Sequence, residues 1–221
     1  MRIDVANPLQ ANLSQTYDRK VNKSAYLIMI SNIVLFNRWK MALASATGAV
    51  EVVTFDYPYC SGGKHRAPPK AEKLVEPHVV VVKKAVMKHP GHPLVLVGKS
   101  MGSRVSCMVA EKEDMDVSAV VCLGYPLKGA NGGIRDETLL KLSVPVIFVQ
   151  GSKDAFCPVQ KLEAVRQKMT AMNELYVIDG GNHSLEIGKK LLKEKGINQV
   201  EAEMQALMSI QAFVSRVLMD V

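Results

Sequence analysis

Cysteine is scarce and scattered in this chain, and that alone removes two kinds of scaffold. Among 221 residues there are four, Cys60, Cys107, Cys122 and Cys157. No C-x-x-C pair occurs and none clusters with histidine, so neither a disulfide framework nor a metal site is expected, and nothing calls for a cofactor. Cys107 and Cys122 fall on apolar element faces and read as reduced core thiols. Long apolar runs are missing as well. Residues 25–36 are interrupted by Ser31-Asn32 and lie too deep for a secretory signal, so no bilayer span or association with a membrane is expected. The expectation is a soluble, intracellular protein, cytoplasmic or nuclear.

Aromatic residues make up 5% of the chain and do not interleave with its basic groups, although the net charge is +7. The densest of these groups are Lys64-His65-Arg66 with Lys70 and Lys73, then Lys83, Lys84 and Lys88, then Lys189, Lys190, Lys193 and Lys195. No nucleic-acid motif accompanies them, so they read as solvated helix faces rather than a nucleic-acid interface.

Apolar substance is plentiful: 48% of the residues are hydrophobic, enough at this length to bury one core without staples. Residues 1–24, polar and rich in Asn, Gln and Ser, read as a loose or divergent arm. Residues 25–221 read as a single domain. Strands are expected at 26–30, 50–56, 93–97, 117–123, 144–150 and 175–178, and helices at 34–46, 71–88, 103–111, 159–169 and 199–217. Pro77 inside the second helical stretch predicts either a kink or a helix that starts there. Strands that alternate with helices imply a mostly parallel sheet flanked by helices on both faces, with functional residues beyond the carboxyl ends of the strands.

The most informative stretch is PLVLVGKSMGSRVSCMVAEK at 93–112. A buried-type strand, the turn Gly98-Lys99-Ser100-Met101-Gly102 and a helical pattern follow one another without a spacer. Glycines two residues either side of Ser100 let the backbone turn sharply and lift its hydroxyl off the sheet edge, which is the context of a nucleophile elbow. A serine hydroxyl becomes a useful nucleophile when an imidazole takes its proton and a carboxylate holds that imidazole. His183 lies in the loop after the last strand, and Asp154 lies four residues past another strand end, so the order is Ser, Asp, His. Asp179 and Asp136 are rivals for the acid. The other histidines, His65, His78, His89 and His92, read as surface or structural groups.

These residues carry a family resemblance. From about Trp39 onwards the chain resembles the small α/β-hydrolase-like family typified by testis-expressed protein thirty and by the hydrolase-like domain of subunit three of the NSL chromatin complex, and more distantly the dienelactone hydrolases. The stretches that match are FDYPY at 55–59, GKSMGSR at 98–104, LGYPL at 123–127, FVQGSKDAF at 148–156 and Asn182-His183-Ser184. The resemblance implies an α/β-hydrolase fold and the positions Ser100, Asp154 and His183 for the triad. It also shows a departure. Relatives carry a His-Gly-type turn upstream of the Trp39-Lys40 pair, where this chain has SNIVLF at 31–36. One oxyanion donor is then expected from the Met101 N–H, and the partner donor is expected to be missing along with the earliest strands.

Two functions compete on this reading. One is a serine hydrolase acting on a small acyl substrate, an ester, thioester or activated amide, in an open pocket with minimal lid and with Tyr57, Tyr125 and Leu127 as walls. The other is a catalytically weak hydrolase fold that binds a protein partner, in a chromatin-associated complex by resemblance.

Overall fold

Runs such as LVLVGK, AVVCL and VIFVQG are apolar at nearly every position, and only a strand covered on both faces can use such a run. In the computed structural model, which describes residues 3–6, 26–30, 34–59, 69–129 and 132–219, these runs form the centre of a seven-stranded sheet. The elements in chain order are β1 (Ile3–Ala6), β2 (Tyr26–Ile30), α1 (Val34–Thr47), β3 (Glu51–Phe55), α2 (Glu72–Lys88), β4 (Leu94–Lys99) and α3 (Met101–Ala110). They continue with β5 (Ala119–Leu123), α4 (Glu137–Lys141), β6 (Val146–Gly151), α5 (Val159–Arg166), β7 (Asn173–Ile178), α6 (Lys189–Lys195) and α7 (Gln199–Met219).

The strand order is β1-β3-β2-β4-β5-β6-β7. All neighbours from β3 to β7 are parallel, and β1 alone runs antiparallel, against β3. The pleat divides each central strand between two cores. Leu94 and Leu96 of β4, Val120 and Cys122 of β5, and Val146 and Phe148 of β6 join side chains from α2 to α5 on one face. Val95 and Val97, Val121 and Leu123, and Ile147 and Val149 join Trp39 and Leu43 of α1 with Ile210 and Phe213 of α7 on the other. Three-layer α/β organisation follows directly from this alternation.

Helix α2 decides between the two readings at Pro77, and two other local features differ from expectation. Helix α2 starts at Glu72 and runs through Pro77. Burial of Leu74, His78, Val81, Val82 and Ala85 along one face offsets the missing amide bond. Helix α6 was not foreseen because its seven residues bury nothing and so carry no apolar period. Finally, part of the stretch read as a loose arm is an edge strand: β1 registers Ile3 opposite Phe55 and Ala6 opposite Val52. Early strands are therefore present, while residues 7–25 lie outside the described residues.

Candidate active site

Strand β4 ends at Lys99 and α3 begins at Met101, leaving Ser100 as the whole connection. Its backbone sits at φ 52° and ψ −118°, a region that costs a non-glycine residue about 1–3 kcal/mol. Neighbouring bonds hold it there. The Ser100 amide donates to the Leu123 carbonyl at 2.9 Å, and Ser103 Oγ donates to the Ser100 carbonyl at 2.6 Å. The flanking glycines have a steric purpose, since a Cβ on Gly98 would stand 2.4 Å from the backbone of Gly102. Met101 takes the first helical position, where backbone amides have no intrahelical acceptor.

His183 is carried by a tight loop after β7. Asn182 braces it: its side-chain oxygen accepts from the Ser184 amide at 2.8 Å and the Glu186 amide at 3.0 Å. Leu185 is forced to φ 65° at the tip. Gly151 at the end of β6 and Gly124 just past β5 let this loop close onto the sheet. A Cβ on Gly151 would lie 2.3 Å from the Gly181 carbonyl oxygen, and one on Gly124 would lie 3.0 Å from that of His183.

The result is a continuous hydrogen-bonded series. His183 Nδ1 lies 2.7 Å from Asp154 Oδ2, and His183 Nε2 lies 2.8 Å from Ser100 Oγ. A carboxylate only accepts, so Nδ1 carries the proton and Nε2 is left to accept from the serine hydroxyl. Asp154 is 3% exposed and also accepts from Gln150 Nε2 at 2.5 Å and from the Phe156 amide at 2.8 Å. Burial pushes its carboxyl up, but the bond and charge of His183, with the Phe156 and Gln150 donors, outweigh burial and hold it below the ordinary aspartate value.

The rivals for these roles stand elsewhere. Asp179 binds Ser152 Oγ and Lys195 at the surface, and Asp136 stands at the N-cap of α4. His78 is fully buried and His89 meets Glu51, while His65 lies outside the described residues.

The expected pocket walls need correction. Tyr57, Tyr125 and Leu127 are only 2%, 1% and 0% exposed and belong to the core on the α2–α5 face. The Tyr125 hydroxyl donates to the Arg135 carbonyl at 3.2 Å, and its ring stands edge-on to Phe148. Two side chains that the motif reading passed over lie at the site instead. Phe156 is 55% exposed with its ring centroid 4.8 Å from that of His183. An apolar ring in the otherwise polar GSKDAF turn was the available signal. The other is Lys99, buried beside the serine, with its ammonium on the His183 carbonyl.

The missing partner donor was expected within SNIVLF at 31–36. Residues 31–33 lie outside the described residues, and Val34 opens α1. Because β2 runs parallel to β4, its carboxyl end lies at the same rim as Ser100.

Comparison with known proteins follows the same lines. Residues 36–215 match the family model described as alpha/beta hydrolase domain. The fold is similar to that of an alpha-beta serine hydrolase homologue from Coxiella burnetii, with TM-score 0.65, 17% identity and coverage of 94% of this chain and 89% of that one. Est1E from Butyrivibrio proteoclasticus gives 0.66 at 15% identity, covering 96% and 93%. A member of the a/b serine hydrolases without lid from Xanthomonas campestris gives 0.60 at 12%, covering 99% and 87%. At these identities the likeness is one of fold. No helix among the described residues is long and apolar enough to cross a membrane.

Proposed function

The chain belongs to the alpha/beta hydrolase domain family, and on that premise we propose that it is a serine hydrolase of small ester, thioester or activated amide substrates. The observation that carries this reading is His183 bridging Ser100 Oγ at 2.8 Å and Asp154 at 2.7 Å. Ser100 Oγ attacks the acyl carbon while its proton passes to His183 Nε2. Asp154 keeps Nδ1 protonated and stabilises the imidazolium. The carbonyl oxygen becomes an oxyanion held by the Met101 N–H. His183 then returns the proton to the leaving group as the bond to the acyl carbon breaks. Water, deprotonated by the same imidazole, releases the acid and restores Ser100.

Within the family we place the chain beside testis-expressed protein thirty and the NSL-complex subunit, on the FDYPY, GKSMGSR and FVQGSKDAF stretches. The connection from Tyr125 to Arg135 is by its length too short for a full lid, and Phe156 offers an apolar surface next to the base. A fluorophosphonate probe tests the reading. The intact protein should label, and Ser100→Ala should abolish labelling and lower turnover of p-nitrophenyl acetate on the order of 10⁶-fold. An unlabelled wild-type protein, or labelling that survives the substitution, would falsify the enzyme and leave the interaction role.

A further inference from the structure

The second position of the G-x-S-x-G turn is a lysine, a residue that is almost never fully buried unless paired. Lys99 is only 8% exposed, at the end of β4. Its ammonium donates to the backbone carbonyl of His183, 84 positions away in the chain. Room for it comes from Gly124, where a Cβ would meet Lys99 Nζ at 2.8 Å and the His183 carbonyl oxygen at 3.0 Å. One cation thus ties the nucleophile strand to the loop that carries the base, across the exit of β5.

A methionine would fill this volume without the cost of burying a charge. What it could not supply is a donor for a carbonyl attached to the residue whose imidazole must stay within hydrogen-bond reach of Ser100. We propose that Lys99 is the positioning residue of the base loop, and that its ammonium is the latch that keeps His183 in line with Ser100. The proposal rests on the serine-hydrolase reading of the site.

The latch has a sign with pH. Burial lowers the Lys99 pKa from 10.5 to about 8, while the charges of Asp154, on the β6 exit loop, and Glu186, on the base loop itself, favour the ammonium and offset part of that effect. The other titratable groups on that loop are the imidazole of His183 and the carboxylate of Asp179, which is engaged by Ser152 and Lys195 at the surface. The ammonium is therefore present below about pH 8 and lost above it, so activity should fall on the alkaline side as Lys99 deprotonates.

The test measures the fluorophosphonate labelling rate, and kcat and KM for p-nitrophenyl acetate, across pH for the intact protein and three variants. Lys99→Met should lower kcat and the labelling rate about 100-fold, the scale of a small misplacement of a reacting group, with little change in KM. Lys99→Arg keeps a cation that does not titrate in this range, and should recover much of the rate while removing the alkaline limb up to about pH 10. Glu186→Gln changes an exposed side chain, removes one of the charges that favour the ammonium, and should move the limb to lower pH. A purely structural lysine predicts no movement of the limb in either of the last two. Should Lys99→Met fail to fold, those two profiles decide. Wild-type labelling with limbs that coincide in all variants overturns the latch alone, as does a Lys99→Met protein with wild-type kcat. A wild-type protein that does not label overturns the latch and the hydrolase reading together.

Discussion

An imidazole meets a carboxylate at each end of the sheet. At the amino rim Glu51, the first residue of β3, accepts from His89 Nε2 at 2.5 Å and from Lys88 Nζ at 2.7 Å. At the carboxyl rim Asp154 faces His183 Nδ1 at 2.7 Å. Both carboxylates are buried, at 3% exposure each, so burial does not separate the two pairs. What does is the rest of each surrounding. Glu51 shares its charge with an ammonium and ties the end of α2 to β3. His183 has its other nitrogen on a hydroxyl held proud of the sheet by a sharp turn. A third histidine shows the complementary fragment: His78 Nδ1 lies 3.5 Å from the Tyr57 hydroxyl in the core, where burial lowers its pKa from 6.5 to about 3. Imidazole with carboxylate, or imidazole with hydroxyl, each serves architecture when alone. Chemistry needs the two together at the rim where a substrate can arrive.

Amidating the two carboxylates separately gives the sharpest contrast. Asp154→Asn should lower kcat about 10,000-fold, since the amide favours the wrong tautomer of the base, measured with p-nitrophenyl acetate. Gly151→Ala leaves every polar group in place but inserts a methyl 2.3 Å from the Gly181 carbonyl oxygen. It should displace the base loop and cost about 100-fold in labelling rate. Glu51→Gln should leave the labelling rate unchanged and destabilise the fold by about 1–2 kcal/mol in urea unfolding, because a buried charge-assisted acceptor is weakened. For His78 the readout is stability against pH. Below pH 6.5 the unfolded chain takes up a proton that the native side chain refuses until about pH 3, so stability declines as pH falls through that window. His78→Leu should flatten this slope. If it instead flattened the pH–rate profile, the division between core and rim histidines would fail.

Much of this arrangement was legible in the residues. Strand, turn and helix are contiguous around Ser100, and the glycines at 98 and 102 have one steric use, so the elbow could be located without coordinates. His183 and Asp154 were legible because parallel strands deliver their exit loops to one edge. The walls were misread for a related reason. Tyr57 and Tyr125 follow strand ends, but beyond the last pleated residue no period tells which way a side chain turns, and both rings turned into the core. Strand β1 was hidden because four residues in a polar stretch leave no detectable alternation. Lys99 was hidden because its partner is a backbone carbonyl, and main-chain atoms leave no mark in a sequence.

The backbone at Ser100, φ 52° and ψ −118°, also sets what this molecule gives up to hold the candidate nucleophile. A glycine would adopt that conformation freely. Ser100→Gly should therefore yield a protein without chemistry yet as stable as the parent or firmer, by up to about 1 kcal/mol once the looser unfolded chain is counted against the relieved strain. Urea midpoints of the two proteins measure the difference. On the proposed function, the strain at this serine is a debt carried by the rest of the fold, and the glycine variant is the form in which the same architecture rests at ease.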